Sequence, residues 1–450
     1  MPTHQHDVPA RLIDVPALMQ SDEAELDFLQ RGSFAYFIDQ TNPANGLVRD
    51  KNVPGWPASI AAVGMALLAY PVAVERALIG REAALRVVLT TLRFFWNSPQ
   101  GPQADATGHH GFYYHFLDME SGRRAGTCEL STIDSAFLLA GALGAACYFN
   151  RPDADEQELC TLADALYRRA DWQWAQNRGD TVTMGWKSGR GFLKHRWTGY
   201  NEALLLYILG LGSPTFPLPS ASYQAWCAFY HWDHCYGVPY LQSGSLFTHQ
   251  LSHVWIDFRG IDDQFMRAHG IDYFENSRRA TLVQQRYAID NPQRLIGYGQ
   301  TCWGITASDG PGPATRVIDG VKRRFFDYVA RGVPHGPDDG TIAPWAVIAA
   351  LPFAPEIVLP TIAQFARTPA LHCRYGYKTT FNATFRSKAM PHGWVSPWHF
   401  GIDQGPVLLM IENYRSGLPW RLMRACPYIG SGLRRAGFRG GWLDAAPGMP

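Results

Sequence analysis

The sequence predicts an all-α fold, an (α/α)6 barrel in which six buried helices form an inner ring and amphipathic helices surround them. Six strongly apolar segments follow one another along the chain, with starts roughly 60 to 80 residues apart. More polar helical segments alternate with them. An apolar helix must be buried on nearly every side, whereas an amphipathic helix is half exposed, so the alternation indicates two layers. A helical solenoid is the alternative architecture.

Each apolar segment opens with a polar or Gly/Pro-rich lead-in and a Ser, Thr, Asp or Asn residue typical of a helix N-cap. Two segments also carry proline close to the first turn, where a helix does not use the backbone N–H. The predicted inner helices are "PASIAAVGMALLAY" (57–70), "ELSTIDSAFLLAGALGAACYF" (129–149), "GYNEALLLYILGLG" (199–212), "FENSRRATLVQQRYAI" (274–289), "DDGTIAPWAVIAAL" (338–351) and "IDQGPVLLMIENY" (402–414).

The segments between them show helical periodicity with charges on one face, which is typical of helices that are half exposed. Short strands are predicted near residues 111–117 and 246–258, where they are interpreted as hairpins within loops. The predicted outer helices are Ala24–Gln40, Ile79–Phe95, Asp155–Trp174, Ala314–Arg331 and Pro355–Ala366.

The composition is that of a well-packed globular protein. The 450 residues are 46% hydrophobic and 18% charged, so a large core can form and the bulk of the chain is not expected to be disordered. Large barrels reach this length as one unit. We predict a single barrel domain over residues 1–450, with residues 1–20 and 430–450 as terminal extensions.

The charge pattern gives no indication of a nucleic-acid partner, because the formal net charge is +1 and no run of Lys or Arg stands out. No segment approaches the length and apolarity of a membrane span, so no membrane partner is predicted. The N-terminal residues lack an apolar h-region and a cleavage site. If the sequence is complete, this predicts a cytoplasmic protein, and a periplasmic one if a signal peptide was removed. The oligomeric state is not indicated.

Neither a metal nor a cofactor is predicted. The eight cysteines form no CxxC pair and the histidines show no zinc spacing, so the cysteines are interpreted as buried thiols, compatible with a reducing compartment. The segment "WGITASDGP" (303–311) lacks a phosphate-loop pattern. No GxSxG motif follows a plausible strand.

Aromatic residues are abundant, with 15 Trp, 20 Tyr and 24 Phe. Many lie beside Gly, Pro, Asp or Arg outside periodic helices, as in "WIDFRG" and "SPWHFGIDQGP". Packing in the core is the plain interpretation of most of them. The alternative is a cleft lined by flat rings. Such a cleft suits sugars, because sugar rings have apolar C–H faces and polar edges.

Acidic residues recur at the starts of the predicted inner helices. If these helices are parallel, their N-termini gather at one mouth, where the positive ends of the helix dipoles favour carboxylates. This predicts a carboxylate-rich pocket for a neutral substrate, with groups for acid and base catalysis. The residues expected to converge there are Glu129, Asp134, Glu202, Glu275, Asp338, Asp339 and Asp403.

Glu202 is a candidate general acid on its sequence context. It stands at the front of an almost wholly apolar helix, where Asn201 or Thr198 can already serve as the cap. Stabilisation of the helix dipole is the alternative reason for a carboxylate at this position. A general acid must hold its proton near neutral pH, which requires burial or a nearby carboxylate to raise its pKa.

Asp134 and Asp403 each have a structural alternative. "STID" fits a capping box in which Ser131 or Thr132 is the cap, and "FGIDQGP" resembles a helix start with Asp403 as the N-cap. The other role for Asp403 is the base that activates water. Arg259 is either a partner of Asp257 or a planar donor fork for sugar hydroxyls, and Arg278 and Arg279 have the same two interpretations.

Seven stretches, in this order and spacing, resemble the glucoamylase-like domain of bacterial β-1,2-glucan-active enzymes. This group includes the endo-β-1,2-glucanases of glycoside hydrolase family 144 and is similar to the glucoamylase-like region of cyclic β-1,2-glucan synthase. The stretches run from about Phe34 to about Trp420. They are "ELSTIDSAFLLAGAL", "GYNEALLLYILGLGSPTFPLP", "LFTHQLSHVWIDFRG", "DYFENSRRATLVQQRYAIDNP", "YGQTCWGITASDGP", "DDGTIAPWAVIAALPFAPE" and "GIDQGPVLLMIENYRSGLPW".

The resemblance implies an (α/α)6 barrel and an endo-acting, anomer-inverting hydrolase of β-1,2-glucan that needs no cofactor. It implies that Glu202, in the "YNEA" motif, is the general acid. Asp403, in the "IDQGP" motif, is the first choice for the base and Asp134 the second. The base is expected to take a proton from water, directly or through a substrate hydroxyl. In an inverting enzyme the two carboxyl groups lie about 6.5–9.5 Å apart.

On this hypothesis a glucan chain lies across the mouth of the barrel, stacked on aromatic rings and held by polar side chains. The rivals left open are a retaining transglycosylase and a non-catalytic glucan-binding barrel. A polysaccharide lyase is a further rival, but the near-neutral charge argues against an anionic polymer. The predicted substrate-binding residues are Trp56, Trp255, Asp257, Arg259, Asn276, Arg279, Tyr298, Trp303, Asp309, Asp339, Trp345 and Trp398.

Overall fold

The computed structural model describes residues 15–445, with side chains from residue 22 onward. Helices provide most of the regular structure. In chain order they are α1 Val15–Gln40, α2 Ile60–Glu75, α3 Arg81–Asn97, α4 Thr132–Tyr148, α5 Ala154–Arg169, α6 Trp172–Gln176, α7 Leu204–Gly212, α8 Ser220–Cys227, α9 Gln264–Ala268, α10 Tyr273–Asp290, α11 Pro344–Ala349, α12 Pro355–Ala366, α13 Gly401–Arg415, α14 Leu418–Ala425, α15 Pro427–Arg435 and α16 Gly441–Asp444.

Short antiparallel strands lie in the connections between helices. Five of them form one sheet in the order β2-β3-β5-β6-β7, and the others pair as two-stranded ribbons. The strands are β1 Ala58–Ser59, β2 Gly108–His109, β3 Phe112–Tyr114, β4 Phe116–Leu117, β5 Leu130–Ser131, β6 Gly185–Lys187, β7 Gly191–Phe192, β8 Trp232–Cys235, β9 Val238–Leu241, β10 Ala307–Ser308, β11 Ala314–Ile318, β12 Val321–Phe325, β13 Val329–Ala330, β14 His372–Cys373, β15 Gly376–Tyr377, β16 Phe381–Asn382 and β17 Trp394–Val395.

The core is built from apolar helices packed side by side. α2 contacts α4 and α13, α4 contacts α7, and α11 contacts α13. Every residue of α7 is buried, as its uninterrupted apolar sequence requires. The backbones of α2 and α4 are in van der Waals contact where the two helices cross. Only glycine fits there: a Cβ at Gly64 would lie 2.3 Å from the Phe137 carbonyl oxygen, and one at Gly141 would lie 2.2 Å from the Gly64 oxygen. The mainly helical character predicted from the sequence is confirmed.

More polar helices cover these core helices. α1 lies against α13, α3 against α5, α5 against α4, and α12 against α11. They bury one face and expose the other, which accounts for their amphipathic sequences. The predicted outer segment 155–174 is interrupted at Ala170, so that α5 and α6 replace a single helix.

The prediction that residues 314–331 form an outer helix is wrong. The segment forms the hairpin β11–β12, with Ile318 paired to Val321 around the dipeptide Asp319-Gly320. Both turn residues have positive φ, 48° and 79°. An Asp-Gly pair between β-branched residues is a strong signal for a two-residue hairpin turn, and it outweighs the approximate helical periodicity of the segment.

Two further predictions are corrected. Residues 246–254 form two 3-10 helices, Leu246–His249 and Leu251–Val254, rather than a hairpin. The segment lies between α7 and α11, since Ser252 Oγ accepts a hydrogen bond from Leu205 N at 3.2 Å and Gln250 Nε2 donates to Ala346 O at 2.6 Å. Residues 274–289 do form a helix, α10, but it is amphipathic and only partly buried. By contrast, the strands predicted near 111–117 are present as β3 and β4.

The C-terminal residues 430–445 do not form an extension. α15 packs against α7, where a Cβ at Gly432 would lie 2.0 Å from the Ile208 carbonyl oxygen, and Arg435 donates to Leu218 O at 3.0 Å. At the other end, α1 begins at Val15, and residues 1–14 and 446–450 lie outside the described residues. The single-domain assignment stays a prediction. Across residues 15–445, no helix is both long and apolar enough to cross a bilayer.

Candidate active site

A cavity of about 640 Å3 opens where the N-terminal ends of the core helices meet. Ser59 caps α2, Asp134 lies in the first turn of α4, and Glu202 precedes α7. The convergence of these helix starts was predicted from their apolar sequences. The full lining is Asp50, Lys51, Trp56, Ser59, His115, Phe116, Ile133, Asp134, Phe137, Glu202, Phe247, Leu251, Ala307, Asp309, Asp327, Tyr328, Trp345, Phe400, Ile402 and Asp403.

Glu202 lies in the turn that leads into α7. Its backbone is fixed by neighbours, because Asn201 Oδ1 accepts a hydrogen bond from Ala203 N at 3.1 Å and Glu202 O accepts one from Ser252 Oγ at 3.1 Å. The Glu202 side chain does not cap the helix. Burial, assisted by the charge of Asp134, raises the pKa of Glu202 to about 7. The carboxyl group therefore holds a proton up to neutral pH, as a general acid must.

Asp403 lies in the first turn of α13, whose N-cap is Phe400. The predicted role of Asp403 as an N-cap is therefore wrong, because the helix begins two residues earlier, at Gly401. The side chain is 6% exposed and faces the cavity. Burial raises the pKa of Asp403 well above its usual range, and the charges of Asp50 and Asp309 act in the same direction.

Asp134 belongs to a cluster of carboxylates around His115. The predicted cap is confirmed, since Ser131 Oγ accepts from Asp134 N at 3.3 Å. His115 Nε2 lies 3.6 Å from Asp134 Oδ2, and His115 Nδ1 lies 3.0 Å from Glu129 Oε1. Burial lowers the pKa of His115, but Asp134, Glu129 and Asp50 together outweigh it and raise the pKa to about 9. A charged imidazolium thus lies among the acids at neutral pH.

One wall of the cavity combines charges with aromatic rings. Asp50 Oδ2 accepts a hydrogen bond from Trp56 Nε1 at 3.1 Å. Burial raises the pKa of Asp50 to about 6. The ammonium group of Lys51 lies 5.3 Å from the ring centroid of Trp56, 5.2 Å from that of Trp398 and 5.0 Å from that of Phe400. These are cation–π distances, and they hold the lysine against the rings.

Asp309 and Trp345 complete the predicted residues at the cavity. Asp309 is buried, and its Oδ2 accepts a hydrogen bond from Ser396 Oγ at 3.1 Å. Trp345 lies in the first turn of α11. Its indole Nε1 is buried without a hydrogen-bond partner among the described residues, which leaves one donor unused at the cavity wall. Trp398 is not itself in the lining and reaches the site through Lys51.

Tyr328 lies in the connection between β12 and β13, at the mouth of the cavity. Its side chain is 59% exposed, and its ring centroid lies 6.2 Å from that of Phe400. The pKa of Tyr328 is raised well above its usual range by desolvation and then by the charges of Asp403, Asp50, Asp134 and Glu202. Tyr328 is therefore partly exposed to solvent and lies close enough to the cavity carboxylates to be affected by their charges.

Nine of the predicted substrate-binding residues lie outside the cavity lining. Besides Trp398, eight of them make contacts within the protein, and their assignment is corrected. Trp255 is fully buried behind the wall, with its ring 6.4 Å from that of Phe137. Asp257 and Arg259 form an ion pair at 2.7 Å, and the guanidinium stacks on Trp420 at 4.4 Å. That pair is the structural alternative that the sequence left open.

The other five predicted substrate-binding residues outside the lining make contacts within the protein, which explain their polar or aromatic side chains without a ligand. Asn276 Oδ1 accepts from Leu241 N at 2.7 Å, and Arg279 pairs with Glu275 at 2.8 Å. Polar groups satisfied inside the protein are typical of core residues. The remaining contacts are Tyr298 OH to Asp338 Oδ1 at 2.7 Å, Trp303 Nε1 to Thr361 Oγ1 at 2.9 Å, and Asp339 Oδ1 to Arg331 Nε at 2.8 Å.

Four acids expected at the mouth, Glu129, Glu275, Asp338 and Asp339, are likewise absent from the lining, although Glu129 contacts the lining residue His115. Sequence reasoning missed Asp50, Lys51, His115, Asp327 and Tyr328 as cavity residues. All five lie outside the helices of the structure. Asp327 and Tyr328 belong to the segment 314–331, whose approximate helical periodicity suggested an outer helix and not a cavity wall. His115 alone carried a usable signal, because it lies within the predicted strand segment 111–117.

Comparison with known proteins places the chain in a family. The Glycoamylase family model, described as "Putative glucoamylase", matches residues 194–427, just over half of the chain. A structure of a "putative glucoamylase" from Bacteroides uniformis is 30% identical, with a TM-score of 0.82 over 94% of this chain and 99% of that one.

Two further relatives carry named activities. The exo β-1,2-glucooligosaccharide sophorohydrolase (non-reducing end) of Parabacteroides distasonis is 27% identical over 92% of this chain. The chain spans 58% of the length of that relative. The endo-β-1,2-glucanase of Chitinophaga pinensis, solved with sophorotriose and glucose, is 25% identical with a TM-score of 0.80 over 94% of this chain and 99% of that one. By its matched sequence and its fold, the chain belongs to the Glycoamylase family of glucoamylase-like proteins.

Proposed function

We propose that the protein is a glycoside hydrolase that cleaves β-1,2-glucan, with Glu202 as the general acid and Asp403 as the base. One observation carries the proposal: Glu202, Asp134 and Asp403 come from the starts of three different helices and line a single cavity with aromatic side chains. Membership of the family and the named activities of two relatives support the substrate class.

The acid step needs a proton donor with a pKa near the working pH. Glu202 meets this requirement, because burial and then the charge of Asp134 raise its pKa to about 7. Protonation of the glycosidic oxygen by Glu202 accompanies cleavage of the bond between that oxygen and the anomeric carbon. General acid catalysis of this kind contributes roughly 10²- to 10⁴-fold to a rate.

The second step adds water to the anomeric carbon. Asp403 takes one proton from the attacking water, directly or through a substrate hydroxyl, and the anomer is inverted. Asp134 is the second choice for this base, because it lies beside His115 and acts on Glu202 through its charge. The reaction restores a protonated Glu202 and an ionised Asp403 once one proton has passed between them through solvent.

The cavity suits a neutral sugar chain. Trp56, Trp345 and Phe400 offer ring faces to C–H groups, while Asp50 and Asp309 accept hydrogen bonds from hydroxyls. Six acidic residues line the cavity, Asp50, Asp134, Glu202, Asp309, Asp327 and Asp403. Those that are ionised would repel an anionic polymer, which argues against a polysaccharide lyase. The volume of about 640 Å3 lies within the usual range for a ligand site.

We also infer that the core helices close into an (α/α)6 barrel. α13 contacts α2, α2 contacts α4, α4 contacts α7, and α11 contacts α13. The 3-10 segment 246–254 fills the position between α7 and α11 through Ser252 and Gln250. In this arrangement it takes the place that the sequence assigned to residues 274–289.

The test is a screen of linear β-1,2-, β-1,3- and β-1,4-glucans, with the products sized and their anomers followed by NMR. We expect hydrolysis of the β-1,2-linked chain alone and the α-anomer as the first product. Release of one short oligosaccharide from the outset would favour exo action over the predicted endo action. The first appearance of β-anomer or of transfer products would identify a retaining transglycosylase, and no turnover would leave a glucan-binding barrel.

A further inference from the structure

A cluster of three potential metal ligands lies on the surface, apart from the cavity. Asp233 and Cys235 belong to strand β8, and His335 lies in the loop that follows β13. One oxygen, nitrogen or sulfur atom from each residue lies within 4.8 Å of the other two. We propose that these three residues form a binding site for a divalent transition metal, with Zn2+ as the best-suited ion.

The distances agree with tetrahedral coordination. The Cys235 sulfur lies 3.2 Å and His335 Nε2 3.1 Å from the same oxygen, Asp233 Oδ2. Ligands at the usual Zn–O, Zn–N and Zn–S distances in a tetrahedron are separated by about 3.3–3.5 Å. These two separations are within a few tenths of an ångström of that range, and the Cys235 sulfur and His335 Nε2 lie within 4.8 Å of each other. A thiolate, an imidazole and a carboxylate are the ligand types that zinc prefers.

The backbone holds the three residues together without a metal. Asp233 and Cys235 are two residues apart on one strand, so their side chains share a face, and β8 is paired with β9. The loop that carries His335 is anchored by a hydrogen bond from Val333 N to Gly244 O at 3.0 Å. The imidazole is 65% exposed, which leaves a path for the ion and a fourth position for water.

The Tyr240 hydroxyl is an independent observation that points to a ligand. It is buried and has no hydrogen-bond partner within normal geometry in the described part of the chain, although it is next to the Cys235 thiol. A metal-bound thiolate accepts hydrogen bonds readily, and donors in this position are a regular feature of metal sites. Coordination would convert the neighbouring thiol, a weak acceptor, into a thiolate that accepts strongly from this buried hydroxyl.

A metal here would join the β8–β9 hairpin to the 331–340 loop. The ligands are separated by a hundred residues, so the local spacing patterns that predicted no metal site could not detect them. The same loop carries Arg331 and Asp339, which position the segment at the cavity mouth. The inferred role is structural, and it is independent of the proposed reaction.

The test uses the full chain, reduced and stripped with a chelator, then titrated with ZnCl2 in competition with a chromogenic chelator. We expect one Zn2+ per chain, and at least about tenfold weaker binding in Cys235→Ser and in His335→Ala. Titration with CoCl2 should give a sulfur-to-cobalt absorption band that Cys235→Ser abolishes. The matched control is Cys160→Ser, which removes a thiol in α5, and this variant should bind both metals like the unchanged protein.

Circular dichroism and thermal melts of the metal-free forms will show that the variants are folded. Should Cys235→Ser destabilise the hairpin, Asp233→Asn and His335→Ala provide the same comparison from the other two ligands. Absence of stoichiometric Zn2+ binding would overturn the proposal. So would equal affinity in the unchanged protein and the ligand variants, or a cobalt complex without the sulfur band.

Discussion

Arg331 and Asp339 form a two-armed ion pair in the interior, with Nε to Oδ1 at 2.8 Å and Nη2 to Oδ2 at 2.9 Å, and neither side chain is exposed. The same guanidinium donates to Phe326 O at 3.0 Å and to Asp327 O at 3.1 Å. The pair therefore fixes the backbone immediately before Tyr328. Asp339, predicted to bind sugar, instead positions the segment that does line the cavity.

Asp339→Asn should lower the free energy of unfolding by about 3–5 kcal/mol, because it leaves the buried Arg331 charge without its partner. Urea denaturation at neutral pH measures this loss. Asp27→Asn is the matched control, since Asp27 pairs with Arg31 on the surface at 2.5 Å. Exposed pairs contribute about 0–1 kcal/mol, so similar losses in the two variants would contradict the role given to Asp339.

Tyr328→Ala should raise KM for β-1,2-glucan roughly 2- to 10-fold, because it removes a ring that can pack on a sugar at the cavity mouth. Tyr328→Phe keeps the ring and isolates the contribution of the hydroxyl. Steady-state kinetics of both variants measure the effects. Tyr414 is an exposed tyrosine at the far end of α13, so Tyr414→Ala should leave KM unchanged. Unchanged kinetics in Tyr328→Ala would exclude a contact with substrate.

The pH dependence of kcat/KM should fall on the alkaline side near pH 7, since the general acid must be protonated and the pKa of Glu202 is about 7. Burial is the main cause of that pKa, and the charge of Asp134 adds to it. Asp134→Asn should therefore move the alkaline limb to lower pH. Asp309→Asn removes another cavity carboxylate, one that does not act on Glu202, and should leave the limb in place. An unmoved limb in Asp134→Asn would contradict the coupling.

Glu202→Gln should be more stable than the unchanged protein at pH 8, by about 1–3 kcal/mol, and equally stable at pH 4. The folded-state pKa of Glu202, about 7, lies above the ordinary value of 4.5. Its contribution to stability is therefore present below pH 4.5 and is lost as the pH rises through 7. Glutamine stays neutral throughout. Thermal melts at the two pH values measure the difference. If Glu202→Gln were less stable than the unchanged protein at pH 8, the raised pKa of Glu202 would be contradicted.

The helices and the convergence of their starts were predictable, because long apolar runs such as that of α7 leave burial as the sole option. The hairpin β11–β12 was not predicted, although the dipeptide Asp319-Gly320 is a local sequence signal for its turn. Residues such as Asn276 and Trp303 were assigned to substrate wrongly, because a polar group buried in the core looks the same in a sequence as one that binds a ligand. Only the fold shows that their hydrogen bonds are made internally.

The loop residues of the cavity could not be predicted for a different reason. Asp50, Lys51 and Tyr328 lie in connections whose paths depend on distant contacts, such as the Arg331–Asp339 pair. A single sequence has no periodic signal for such contacts. The acids at helix starts, Glu202, Asp134 and Asp403, could be predicted because a helix N-terminus has a local sequence pattern and the packing of the core helices fixes where it points.

The most direct measurement compares Glu202→Gln with Glu275→Gln on linear β-1,2-glucan near pH 6. Both replace a glutamate near a helix start, but Glu275 pairs with Arg279 on α10, away from the cavity. We predict that kcat falls roughly 10²- to 10⁴-fold in Glu202→Gln, with an unchanged circular dichroism spectrum, and stays near that of the unchanged protein in Glu275→Gln. Full turnover in Glu202→Gln, or an equal loss in both variants, would contradict the assignment of the general acid.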